Sequence, residues 1–119
     1  MIRSMSKNQR DEISRMLDAT LRIREECPLL ALHHIEIFLR VAEATELSNA
    51  DLVEESGFSK SVVSRAAAVL GSRGGRGVPA LKWIITDFSP TSARERVHRL
   101  SRKGESLADE IRDILAGRD

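Results

Sequence analysis

Apolar positions recur at helical spacing over most of this chain. Ile13, Met16, Leu17 and Leu21, with Thr20 and Arg24 in step, keep an i, i+3, i+4, i+7 rhythm that predicts a helix over 6–26, with Ser6 placed to cap its start. Pro28 ends it, because the residue before a proline is pushed out of the helical region. A second helix is predicted over 30–44, where Ile35, Phe38, Leu39 and Ala42 share one face and Ile37 and Val41 lie close by. Apolar residues on more than one face mark a helix buried on several sides. In the stretch 47–57, Ser48 suits an N-cap, Asp51 stands where a capping-box acid belongs, and Leu52 and Val53 supply an apolar face. Gly57 suits the left-handed position that closes a helix. After Phe58, Ser59 caps a further helix over 60–70. Two short helices around a turn of three or four residues containing Gly form the helix-turn-helix pattern.

The pattern changes after Leu70. Residues 71–77 hold four glycines, which predicts a mobile connector running to Pro79. Residues 81–87, with Trp83, Ile84, Ile85 and Thr86, read as a strand. The segment 88–93, containing Ser89-Pro90, reads as a loop, and the alternation over 96–100 predicts a returning strand. A last helix begins near Gly104 and runs to about 116, with Leu107, Ile111, Ile114 and Leu115 on one face. The expected architecture is mainly α with a small β-hairpin, in the element order of a winged helix-turn-helix, as a single domain over 1–119.

Composition narrows the function. At 119 residues the chain has room for one core. Aromatics are 3%, with three Phe, one Trp and no Tyr, which leaves almost no material for an aromatic platform that stacks bases or sugars. One cysteine excludes an internal disulfide and a Cys-rich zinc site. No apolar run approaches a membrane span. The polar start over 1–10 does not read as a secretory leader, so a cytoplasmic location and no membrane partner are expected.

The net charge of +1 conceals a division. Residues 59–104 hold ten Lys and Arg against two acids, a local balance of +8, while the rest of the chain holds nine against sixteen. Such asymmetry is the footprint of a polyanion-binding face, although a basic run alone is equally well read as a solvated surface. The helix after the turn gives it direction. Val63, Ala66, Ala67 and Leu70 form a buried face, which leaves Lys60, Ser61, Val62, Ser64 and Arg65 outward, with Ser59 at the cap. The major groove of B-DNA, about 12 Å wide, admits such a helix. Arg can donate bidentately to guanine, Ser can bond phosphate or base, and Val can meet a thymine methyl. Arg73 and Arg76 in the glycine stretch either bind phosphate or form a solvated loop. Arg94 and Arg96 belong to the hairpin.

Two stretches, Leu52-Val53-Glu54-Glu55-Ser56-Gly57-Phe58-Ser59-Lys60-Ser61-Val62-Val63-Ser64-Arg65 and Arg94-Glu95-Arg96-Val97-His98-Arg99-Leu100-Ser101-Arg102-Lys103-Gly104, carry a resemblance to the MarR family of bacterial transcription regulators. The resemblance covers about 29–116. It implies a winged helix-turn-helix that binds double-stranded DNA as a homodimer, most often as a repressor. In that family an Asp-x-Arg motif near the wing tip sends its Arg into the minor groove. Here Arg94 stands at the Arg position, and Ser92 stands where the family has Asp. The connector over 71–79 is longer than the family norm, and only one helix follows the wing. The resemblance also implies dimerisation through the terminal helices, where the apolar residues Ile13, Leu17 and Leu21 at one end and Leu107, Ile111 and Ile114 at the other exceed what one small core requires and are expected to pack partly across a two-fold axis. It implies an effector pocket as well, but the sequence names no small-molecule effector.

Other signals point to packing. Cys27 lies beside Glu25 and Glu26, which oppose the lowered pKa of a sensor thiolate, so it reads as structural. His33 and His34 project about 100° apart on a helix and cannot share one metal, and Trp83 reads as a core residue. The glycines at 74, 75 and 77 lack the Gly-Lys-Ser/Thr ending and strand-to-helix setting of a phosphate loop. No nucleophile, base and acid arrangement supports catalysis, and no cofactor or metal site is expected. The alternatives to a transcription regulator are a winged-helix module for protein assembly and an architectural or replication-type DNA binder.

Overall fold

The computed structural model describes residues 11–118. Among them are five helices and three short strands: α1 (Glu12–Glu26), α2 (Leu32–Glu43), β1 (Leu47–Ser48), α3 (Asn49–Ser56), α4 (Lys60–Leu70), β2 (Ile84–Ser89), β3 (Ser92–Leu100) and α5 (Arg102–Ala116). The strands form one antiparallel sheet in the order β1-β3-β2. This mainly helical arrangement with a small sheet is compatible with a winged helix.

Local chemistry sets most of the boundaries. Asp11 accepts a hydrogen bond from the Ser14 N–H at 2.9 Å and caps α1. The expected cap Ser6, with residues 6–10, lies outside the described residues. α2 has no hydroxyl at its cap; instead the Ala31 N–H donates to His34 Nδ1 at 3.2 Å. At α3 the capping box is reciprocal: the Asp51 N–H donates to Ser48 Oγ at 3.0 Å, and the Ser48 N–H donates to the Asp51 carboxylate at 3.2 Å. Gly57 closes that helix at φ +77, a left-handed conformation that glycine adopts without strain. Ser59 accepts from the Val62 N–H and starts α4 as expected. Ser101 accepts from the Gly104 N–H at 3.0 Å, so α5 begins at Arg102, slightly before the expected point.

The sheet region departs from expectation in four ways, the first two through contacts distant in sequence. β1 pairs with β3, Leu47 opposite His98 and Ser48 opposite Val97, and so joins the lead-in of α3 to the hairpin. Residues 81–83 are not yet strand. Their N–H groups donate to the carbonyls of Val69, Gly71 and Leu70 at 2.8–3.0 Å, satisfying acceptors that the end of α4 leaves free. The glycine connector is likewise hydrogen-bonded. Gly75 and Val78 bond reciprocally, and the Gly74 N–H donates to Ala68 O at 2.7 Å. The strands also reach further than 87 and 96, which shortens the predicted loop over 88–93 to a tight turn at Pro90-Thr91.

The core gathers around Trp83 and Phe38, whose ring centroids lie 5.0 Å apart. Ile37 and Val41 of α2, Leu52 of α3, and Val63, Ala66 and Leu70 of α4 are buried with them. α5 packs beside α1, and Arg22 ties the pair by a hydrogen bond to Glu110 at 2.6 Å. Here a correction is required. Leu107 and Ile111, expected at a dimer interface, are buried in this chain's own core together with Ala19 and Ile23 of α1. Leu21 and Ile114 are half-buried, whereas Ile13 is 77% exposed and Leu17 56%. No helix among the described residues is long and apolar enough to cross a membrane.

Candidate nucleic-acid interface

α4 presents the two faces that its sequence requires. Val63, Ala66, Ala67, Val69 and Leu70 are buried, and Lys60, Ser61, Ser64 and Arg65 are exposed. Val62 differs from expectation: it is half-buried, so only part of its side chain is available to a ligand. Ser59 is engaged at the cap, and its Oγ lies 3.2 Å from Ser61 Oγ.

β3 supplies a second basic surface. Its period of two places Arg94 and Arg96 on the same face as His98, with Arg99 on the other. Arg96 lies over the ring of its cross-strand neighbour Phe88, with Cζ 5.6 Å from the centroid, a cation–π contact that steadies an otherwise exposed guanidinium. His98 is buried between α3 and β2. Asn49 Oδ1 can only accept, so His98 Nε2 carries the proton and donates to it, and Nδ1 then accepts from the Thr86 hydroxyl at 2.9 Å. Burial, and then the nearby Arg96, hold the imidazole pKa below its ordinary value, while Glu95 acts in the opposite sense. The neutral ring therefore connects the start of α3 to both strands of the hairpin.

Ion pairing sorts the ten cations of the basic segment. Arg99 is paired with Asp87, and Lys103 lies 3.7 Å from Glu26. Lys60, Arg65, Arg73, Arg76, Lys82, Arg94, Arg96 and Arg102 have no carboxylate partner among the described residues. Each of these eight is thus a position of uncompensated positive charge, suited to an anion.

Between α4 and the sheet lies a cleft of about 560 Å³. It brings together Ser64, Arg73 and Arg96 of the expected contact residues. The start of α4, with Ser59, Lys60 and Ser61, does not line it, and neither do Arg65, Arg76 and Arg94. The cleft adds two residues that sequence reasoning did not assign. Lys82 is one, at φ +61. His98 is the other, placed there by a β1–β3 pairing too short to read from local pattern. Cys27 is buried at the end of α1, and His33 and His34 lie against each other with centroids 4.3 Å apart. No family model matches the chain, and no curated protein or solved structure matches it.

Proposed function

We propose that the protein is a MarR-like winged helix-turn-helix regulator that binds double-stranded DNA as a homodimer in the cytoplasm and acts as a repressor. α4 is the reading helix: Arg65 and Ser64 meet base edges, and Lys60 and Ser61 meet phosphate near its start. The β2–β3 hairpin is the wing, with Arg94 and Arg96 toward the minor groove or backbone. The observation that carries this reading is the pairing pattern of the charges. Eight cations on α4, the connector, the hairpin and the first turn of α5 lack a carboxylate partner among the described residues. α4 beside them exposes short polar side chains and one arginine, the side-chain types that read DNA.

The test is duplex binding as a function of salt. A protein neutralising several phosphates loses roughly 10³–10⁵ in affinity between about 50 and 200 mM salt, through counterion release. Selection of bound duplexes from a random pool then gives the operator, expected as two half-sites related by a two-fold axis. A flat salt response, or no duplex binding at low salt, overturns the reading and favours a protein-assembly module. Binding without sequence preference favours an architectural role.

A further inference from the structure

We infer that Lys82 is a DNA-backbone contact held by the fold in a strained conformation, and that with Arg73 and Arg96 it makes the cleft between α4 and the sheet a phosphate-binding groove. The inference rests on the duplex-binding reading above and extends it to a residue and a site outside the reading helix. Three observations carry it. Lys82 has φ +61, the one positive φ at a non-glycine position among the described residues, in a region where an L side chain crowds its own backbone. Its conformation is fixed from both sides. The Lys82 N–H donates to Gly71 O at 2.9 Å, and the Ser101 hydroxyl donates to Lys82 O at 2.6 Å. The same Ser101 Oγ caps α5, so the backbone at Lys82 is tied to the end of α4 and the start of α5.

A glycine would satisfy this geometry without strain, so the turn alone gives no reason for lysine. The side chain's surroundings give one. Lys82 is exposed and lines the cleft with Arg73 from the connector and Arg96 from β3, and no carboxylate is among the lining residues. Three cations from three separate segments thus share one concave surface with the hydroxyls of Ser64 and Ser72. Unpaired ammonium and guanidinium groups beside hydroxyl donors match the anionic oxygens of a phosphodiester. Strain retained at a charged, solvent-facing residue is characteristic of functional positions. A strand of backbone lying in the groove would pass between the reading helix and the wing and fix the register of both.

The experiment compares the full-length chain with Lys82→Gly, Lys82→Gln and Lys82→Arg on a labelled mixed-sequence duplex over a salt series. Thermal melting is recorded in parallel. Lys82→Gly removes both the strain and the charge. It is expected to melt at or above the wild-type temperature yet bind about eightfold more weakly at 0.1 M salt, the factor one released counterion supplies. Its salt slope should be shallower by about 1. Lys82→Gln should lose the same affinity at unchanged stability, and Lys82→Arg should restore binding. Lys103→Gln, at a cation already paired with Glu26, serves as the control expected to bind as wild type. If Lys82→Gly and Lys82→Gln bind with the wild-type affinity and slope, the groove is not a phosphate site and the duplex-binding reading stands without it. If the wild-type chain binds no duplex at low salt, both fall.

Discussion

At Gly104 the first turn of α5 passes so close to Trp83 that an added Cβ would stand 2.0 Å from its carbonyl oxygen. That oxygen is backbone, and it also accepts the Ser101 N–H at 2.9 Å, so it cannot step aside cheaply. Gly104→Ala is therefore expected to destabilise the fold by about 1–3 kcal/mol or more, as overpacked cores do. Urea unfolding measures it, and a midpoint equal to wild type would show that the helix can shift. Charge removal at exposed arginines acts differently. Arg65 lies on the face of α4 opposite the buried Ala67 and Leu70, and Arg94 lies near the tip of the hairpin. Arg65→Ala should lose roughly 1–3 kcal/mol of binding and relax preference at one base pair in each half-site. Arg94→Ala should weaken all sequences alike and lower the salt slope by about 1. Binding of both variants to a panel of single-base operator changes decides the matter. The reverse outcome exchanges reader and backbone contact.

How the elements are joined depends on a titratable group. His98 is neutral in the folded chain, bonded to Asn49 and Thr86, and burial with Arg96 nearby holds its pKa below the ordinary value. The unfolded chain binds a proton at about pH 6.5, whereas the folded chain does so only at lower pH. The stability this group contributes is complete above about 6.5 and is lost as pH falls from there through the folded-state pKa. Thermal midpoints of wild type should thus fall as pH drops below about 6.5. His98→Gln should flatten the dependence, leaving the slope from His34, which burial and His33 also hold low. Parallel curves for the two proteins would remove His98 from this account. The elements themselves differ in how readable they were. The caps at Ser48 and Ser59, the turn at Gly57 and the buried face of α4 are decided by neighbours within four residues, and sequence pattern finds them. β1 is two residues long and exists only because β3 lies beside it. The conformation of Lys82 depends on carbonyls at the end of α4, eleven or more residues away, which no local pattern encodes.

At the scale of the molecule, counting apolar residues on the terminal helices could not say which of them the chain's own core would claim. Leu107 and Ile111 went to the core because α5 lies against α1, a contact between the two ends of the described chain. What α1 leaves uncovered is narrower than expected: Ile13, Met16 and Leu17, one stripe at positions i, i+3 and i+4, all exposed. In the proposed homodimer this stripe packs against its copy across a two-fold axis, an isologous contact in which each residue serves both partners. Sedimentation equilibrium should give a dimer for the wild-type chain. The double substitution Ile13→Asp and Leu17→Asp should give a monomer with an unchanged melting temperature, since exposed positions usually shift stability by no more than about 0.5 kcal/mol. Binding should respond as well. A dimer presents two copies of α4 to half-sites about 34 Å apart. Once one copy is bound, the second binds at a high effective concentration, so separating them should weaken binding to the paired site by roughly 10²–10⁴. Affinity for a single half-site should stay as it was. A wild-type monomer would overturn the homodimer, and a variant that remains dimeric would move the interface away from α1. A monomeric variant with full affinity for the paired site would show that the two half-sites are filled independently.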